Sequence, residues 1–354
     1  MDGKPPQRRR RWVNPCGASL SGRQRKAGSL FAGTTPIYGA LDLGTNNCRL
    51  LIARPDHEGF RVIDAFSRIV RLGEGLSASG RLSEAAMART IEALKVCAEK
   101  IARRRVSTLR SVATQACRSA ANCSAFVDRV REETGLALDI ITAREEARLA
   151  VIGCSSLLLP EARDALVFDI GGGSTELIWV RHAAGALDIA AWTSLPFGVV
   201  NLAERFGTGV IAPQTYQHMV GHVRAALADF AALCPAFHAA PSGEAQLLGT
   251  AGTVTTLASL HLGLEAYDRR QVDGSWLEAA GVRALSRRLA AMSIAARAAN
   301  PCIGRERADL VVAGCAILEA ILDEWPMARL RVADRGIREG ILRGLMQGVA
   351  GAAS

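Results

Sequence analysis

The chain has 354 residues, 49% hydrophobic and 22% charged, a composition that folds into a globular body and excludes a disordered or fibrous one. One core rarely organises this length, so two domains are expected. The formal charge of +9 suggests a polyanion until it is located: residues 1–36 hold eight Lys or Arg and one acid, leaving only +2 for the remainder.

No stretch approaches the roughly 18 uncharged apolar residues of a spanning helix, and the apolar run from Leu310 to Leu322 is broken by Glu319. Membrane insertion is therefore not expected. Nine scattered cysteines, odd in number and never spaced CxxC, read as reduced thiols of a cytoplasmic protein. Residues 1–36, with Arg8 to Arg11, Arg23, Arg25 and Lys26 among Gly, Pro and Ser, lack both periodic hydrophobicity and a secretory apolar core. They are expected to be a disordered basic extension, either a solvated tail or an arm that captures polyanions, with nucleic acid expected nowhere else.

Ile37 to Leu43 and Cys48 to Arg54 are short apolar runs joined by Asp42-Leu-Gly-Thr-Asn-Asn47, which predicts a hairpin with a polar, glycine-bearing tip. Phe60 to Phe66 continues the sheet. Ser83 can cap a helix whose Met87, Ile91, Leu94 and Ile101 share one face. Thr108 to Ala113 predicts a strand, a helix runs from there to about Glu133 with Gly135 as its stop, and Leu136 to Ile141 predicts another strand. The pattern then restarts with a strand from Ala165 to Phe168, the turn Asp169-Ile-Gly-Gly-Gly-Ser-Thr175 and a strand from Leu177 to Val180. Asp42 and Asp169 occupy the same place in the two hairpins, so the halves share one plan. Helices around Pro213 to Leu233, a linker from Cys234 to Gly243, and a third turn, Leu248-Gly-Thr-Ala-Gly-Thr253, follow. Helices at Ser275 to Met292 and Glu306 to Trp325, a strand from Leu330 to Ala333 and a last helix complete an α/β chain. The expected domains are 37–160 and 161–347, the last helix packing back on the first, with a tail at 348–354.

A phosphate needs N–H donors converging on its oxygens, and glycine lets the backbone present them without a Cβ in the way. Gly171, Gly172, Gly173 and Ser174 supply such a nest, and Asp169 and Glu176 flank it with the hard oxygens that Mg²⁺ prefers. Asp42 and Asn46 offer the same from the other half. A glycine triplet alone is an ordinary turn; two hairpins with matched acids favour a phosphate site. Gly249 to Thr253, including Gly252 and Thr253, begins a helix whose amides either face an anion or merely start the helix. A P-loop is excluded, because no GK[ST] occurs and the only lysines beyond residue 36 are Lys95 and Lys100. In residues 143–149, Ala-Arg-Glu-Glu-Ala-Arg-Leu, the adjacent acids diverge by about 100° on a helix, so at most one faces a cleft. Complementing the helix dipole would account for both.

Several motifs together resemble the exopolyphosphatase and guanosine pentaphosphate phosphohydrolase family of the actin-like ATPase and sugar-kinase superfamily. These are Asp42-Leu-Gly-Thr-Asn, Ala113-Thr-Gln-Ala-Cys-Arg118, Glu145-Glu-Ala-Arg148, Asp169-Ile-Gly-Gly-Gly-Ser-Thr-Glu176, Gly249-Thr-Ala-Gly-Thr253, Glu306-Arg-Ala-Asp309 and Asp334-Arg-Gly-Ile-Arg-Glu339. The resemblance implies two actin-like, ribonuclease H-like domains with an active-site cleft between them. It implies that Glu146 is the general base, that Asp169, Glu176 and Asp42 serve Mg²⁺ or Mn²⁺, and that Asn46, Thr45, Arg118, Gly171 to Ser174, Gly252 and Thr253 hold phosphates. The commoner first turn reads Asp-Leu-Gly-Ser-Asn-Ser; Thr45 keeps a hydroxyl there, while Asn47 changes the donor set. After Glu339 there is no long helical extension of the kind some relatives use to hold a polyphosphate channel, so processivity is not implied.

The chain is thus expected to release terminal phosphate from inorganic polyphosphate, with guanosine pentaphosphate as the rival substrate. A small-molecule kinase on the same scaffold and a non-catalytic alarmone or polyphosphate sensor are the other readings. The family often pairs, so a homodimer is expected.

Overall fold

A computed structural model describes residues 35–57, 59–183, 186–234 and 244–352. The expected basic extension lies outside these residues up to position 34, as does the linker beyond Cys234.

The first sheet contains β1 (Tyr38–Leu43), β2 (Asn47–Asp56), β3 (Gly59–Ile69), β4 (Thr108–Ala113) and β5 (Asp139–Ile140) in the order β3-β2-β1-β4-β5. β1, β2 and β3 form an antiparallel meander, and β4 and β5 join parallel to β1. The second sheet contains β6 (Asp164–Ile170), β7 (Thr175–Ala183), β8 (Ala186–Leu195), β9 (Ala245–Thr250), β10 (Trp276–Glu278) and β11 (Arg329–Ala333) in the order β10-β11-β9-β6-β7-β8. It repeats the plan: β6, β7 and β8 meander, and β9 and β11 continue parallel to β6. Two meanders, each extended by parallel strands, make an α/β pair of actin-like units.

Helices cover both sheets. Glu84–Arg103 begins at Ser83, whose hydroxyl accepts from the Ala86 amide at 3.2 Å, and lays Ile91, Leu94 and Cys97 against Leu41, Leu50 and Ile52. Each such side chain contributes roughly 1.5–3 kcal/mol through removal from water. Cys123–Thr134 stops at Gly135, which is left-handed with φ 71°. In the second unit Val311–Glu324 is buried on all sides, among Val220, Leu227, Leu257 and Leu285.

Two helices join the units. Ala143–Cys154 and Ile337–Ala352 cross so closely that a Cβ on Gly340 would strike the Leu149 carbonyl, and one on Gly153 the Gly336 carbonyl. Ile341 and Leu342 are buried there with Tyr38, Ala40, Leu51 and Leu149, so the last helix packs on the first sheet. It continues to Ala352 rather than giving way to a tail at 348.

The strand expected over Leu136 to Ile141 shrinks to β5, because only Asp139 and Ile140 find partners on β4. The helix expected from Ser275 starts at Ala279, after β10, and the one expected from Glu306 starts at Val311. β8 was not expected at all.

Candidate active site

The parallel strands of both sheets end at one cleft, the usual position for ligands in α/β folds. β1 delivers Asp42, Thr45 and Asn46; β4 delivers Thr114; β6 delivers Asp169 and Gly171 to Ser174; β9 delivers Thr250 to Thr253; β11 delivers Asp334 and Arg335. Glu146, from the first turn of Ala143–Cys154, lines the same cleft.

The two hairpin tips meet directly. Gly44 N donates to Asn47 O at 2.9 Å in the first, and Gly171 N to Ser174 O at 3.0 Å in the second. A Cβ on Gly173 would lie 2.6 Å from Thr45 Oγ1, and one on Gly172 would lie 3.0 Å from Asn46 Cβ. These glycines are therefore needed for the approach of one tip to the other as well as for presenting amides. The helix Val199–Phe206 fastens the second tip, with Val199 N on Gly171 O at 3.0 Å and Val200 N on Gly172 O at 2.8 Å.

The adjacent glutamates part as helix geometry requires. Glu145 turns to Arg148 and Arg110, at 2.7 and 3.1 Å. Glu146 turns inward and accepts from Arg118 Nη1 at 2.7 Å. Burial pushes the Glu146 carboxyl well above its ordinary range; Glu176 adds to that, Arg118 opposes it, and Asp169 adds further. A carboxylate that is enclosed yet held by a guanidinium can accept a proton from a donor in the cleft.

Arg118 and Glu176 stand behind the lining rather than in it. The Arg118 guanidinium is occupied by Glu146, by the Ile141 carbonyl at 3.0 Å and by Gln115 Oε1 at 2.8 Å. It holds Glu146 in place, whereas a phosphate contact was expected of it. Glu176 accepts from Ser194 Oγ at 2.8 Å, which draws it toward β8. Its carboxyl is raised by burial and lowered by Ser174 and Ser194.

Asp42, Asp169 and Glu176 do not close into one cage: among the described residues no group of three or more His, Cys, Asp or Glu is placed to hold a metal ion. Mg²⁺ seldom needs one, since it binds through one or two carboxylates and completes its shell with water and phosphate oxygens. Oδ1 of Asp42 and Oδ1 of Asn46 are buried acceptors on one turn with no hydrogen-bond partner. Burial lifts the Asp169 carboxyl to about 7, with Glu176 and Asp42 adding to the effect and Arg49 opposing it. Asp42 is raised by burial and Glu339 against Arg49 and Arg338. Orphaned oxygens beside unneutralised acids fit a divalent cation held by Asp42 and Asp169.

Sequence reasoning did not assign the counter-charges. Arg49, Arg307 and Arg338 line the cleft, and none has an ion pair among the described residues. Arg49 was accessible in principle, because the hairpin register sets it opposite Asp42. Arg335 also lines the cleft but is bound to Asp273, at 2.9 Å. At the third turn the left-handed residue is Ala251, with φ 75°, not a glycine. Such strain in a residue with a Cβ accumulates at functional sites.

The profile of the Ppx/GppA phosphatase family matches residues 51–348. The chain belongs to that family. Exopolyphosphatase 2 of Mycobacterium tuberculosis is 33% identical over 316 residues, covering 85% of this chain and 96% of the relative. A guanosine-5'-triphosphate,3'-diphosphate pyrophosphatase of Aeromonas hydrophila is 29% identical over 317 residues; the match covers 88% of this chain but 60% of that longer protein. Among solved Ppx/GppA structures, the Aquifex aeolicus member superposes with a TM-score of 0.72 at 27% identity, covering 89% and 99% of the two chains. An exopolyphosphatase of Cytophaga hutchinsonii gives 0.80 at 25% identity, covering 88% and 98%. The chain is thus a phosphoanhydride hydrolase of this family on the two-domain actin-like fold.

Proposed function

We propose that the chain hydrolyses the terminal phosphoanhydride of inorganic polyphosphate, releasing orthophosphate. The observation that carries this reading is one cleft in which an enclosed glutamate, amide-rich hairpin tips and three arginines without ion pairs among the described residues converge.

Phosphoryl transfer asks for positioning and charge neutralisation more than covalent chemistry. The amides of Gly171 to Ser174 and of Gly252 and Thr253, with the side chains of Thr45 and Asn46, hold the terminal phosphate. Glu146 accepts a proton from water, which attacks phosphorus in line with the departing bridging oxygen. Arg118 keeps the Glu146 carboxylate oriented and favours its ionised form. Arg49, Arg307 and Arg338 neutralise the phosphates behind the leaving group. Mg²⁺, held by Asp42 and Asp169, would supply positive charge at the terminal phosphate oxygens. The eight cysteines of the described residues are free and buried, which supports a reducing, cytoplasmic setting.

Guanosine pentaphosphate is the second reading, favoured by the likeness to the pyrophosphatase named above. The cleft lining favours the inorganic chain: it offers guanidinium and amide donors, and among its described residues no aromatic ring on which a base would stack. Phosphate release from long polyphosphate, tripolyphosphate, guanosine pentaphosphate and ATP, measured side by side, tests this. Polyphosphate should be the best substrate; faster release from the guanosine nucleotide, with polyphosphate inert, would overturn the assignment.

A further inference from the structure

The segment 70–75, between β3 and the helix Glu84–Arg103, is bonded to the first hairpin tip behind the cleft, and the hydrolytic reading leaves it unused. On one side it supports the first hairpin. The Val70 and Arg71 amides both donate to the Asn46 carbonyl, at 2.8 and 3.1 Å, and the Gly73 amide donates to the Thr45 carbonyl at 2.9 Å. On the other side it reaches the second unit. The Arg71 guanidinium donates to the two carboxylate oxygens of Asp309 at 2.7 and 3.0 Å, and to the Glu306 carbonyl at 3.2 Å. The Gly75 amide adds a bond to Glu204 Oε1 at 2.9 Å.

Both ends of this connection are stiff. Arg71 has φ 48°, a left-handed backbone that L side chains rarely adopt, and Arg89 braces it by donating to the Val70 and Arg71 carbonyls at 2.6 and 3.2 Å. At the far end, the Ala308 carbonyl accepts from the buried Arg297 at 3.0 Å. Ala308 lies between Asp309 and Arg307, the cleft arginine. A continuous path therefore runs from the Asn46 backbone through Arg71 and Asp309 to Arg307.

We propose that Arg71 is a positioning residue: its forked bond to Asp309 clasps the two units and sets the span between the first hairpin tip and Arg307. A phosphate chain lying across that span would fit only when the clasp is made. A paired arginine and carboxylate are directional enough to fix such a distance, and contacts made only in the closed arrangement shift the balance toward it. Glu146 bonds to neither member of the pair, so the chemical step on a bound substrate should be untouched. The substrate part of this inference rests on the polyphosphate reading; the clasp rests on geometry alone.

The test is a double-mutant cycle with Arg71→Gln and Asp309→Asn, with Arg71→Lys as the conservative variant. Each single substitution should raise KM for polyphosphate about tenfold and leave kcat within about twofold, because binding and not chemistry is altered. The double variant should be no worse than the worse single, and Arg71→Lys should recover part of the loss. Small-angle scattering should show a larger radius of gyration for the substrate-free single variants than for wild type. Losses that multiply in the double variant, or a fall in kcat at unchanged KM, would overturn the proposal. If wild type releases no phosphate from polyphosphate, the functional reading alone fails. Scattering then decides the clasp: expansion of the variants sustains it, and radii equal to wild type end it.

Discussion

Without a divalent cation, the protein should lose stability as its cleft acids ionise, and Asp169 should account for a measurable share. Asp169 lies one residue before the end of β6 and faces the cleft, and burial, then Glu176, lifts its carboxyl from 3.8 to about 7. Below the lower value both folded and unfolded chains are protonated. Between the two values the folded chain keeps a proton that the unfolded chain has released. Stability to unfolding therefore falls as pH rises, by about 1.4 kcal/mol per pH unit and about 4 kcal/mol over the interval. Water entering from the cleft screens part of this, so a change of about 2–4 kcal/mol is expected. Burial also raises Glu146, Glu176 and Asp42, which adds a slope of the same sign that wild type and an Asp169→Asn variant share, apart from the part of the Glu146 shift that comes from the Asp169 charge. Urea unfolding of both proteins in EDTA, from about pH 4 to about pH 8, isolates the Asp169 contribution. The variant should gain on wild type by the stated amount as pH rises, and added Mg²⁺ should raise wild type more than the variant. A stability difference that stays constant with pH would refute the burial argument; a Mg²⁺ effect equal in both proteins would remove Asp169 from the cation site.

Three further outcomes are expected. Glu146→Gln keeps the shape and the Arg118 contact but removes the base, so phosphate release should fall by about two to four orders of magnitude while the thermal midpoint does not decrease; near wild-type turnover would exclude Glu146 as the base. Gly173→Ala places a Cβ 2.6 Å from Thr45 Oγ1, so the tips must separate, lowering kcat/KM about ten- to hundredfold and costing about 1–3 kcal/mol in urea unfolding. Unchanged kinetics would mean that contact between the tips is irrelevant. Arg297 is fully buried and donates to the Leu289, Thr208, Ala308, Gly209 and Met292 carbonyls, with no carboxylate partner among the described residues. Arg297→Met leaves those acceptors unpaired and should destabilise by about 3–5 kcal/mol, and a loss below about 1 kcal/mol would contradict that account.

How far the site was legible depended on the distance over which each signal acts. The hairpins at Asp42 and Asp169, the Ser83 cap and the Gly135 stop are local, because a turn or helix end dictates its own residue types. β8 carried no such signal. Ala186, Ala190 and Ala191 have little strand preference, and β8 is a strand because β7 pairs with it from Thr175↔Leu195 to Ala183↔Ala186. Leu136 and Leu138 read as strand because they are apolar, but they face the core of the first unit while only Asp139 and Ile140 pair with β4.

The same distinction separates the acids of the site from its cations. Asp42, Glu146 and Asp169 each stand beside the turn or helix start that presents them, so their place follows from a few neighbouring residues. Arg307 and Arg338 have no such frame. Arg338 reaches the cleft because Ile337–Ala352 crosses Ala143–Cys154 at glycine contacts, a geometry fixed by residues nearly two hundred positions apart. Arg307 reaches it because Arg71 holds the chain on either side of it, at Glu306 and Asp309, while Arg297 holds Ala308. Arg118 shows the converse limit: its motif is local, but its direction is not, because Glu146 claims the guanidinium only once the two helices are packed together. A polyanion site is defined by where its cations converge, and in this chain that convergence is a property of helix crossings and one ion pair between the units.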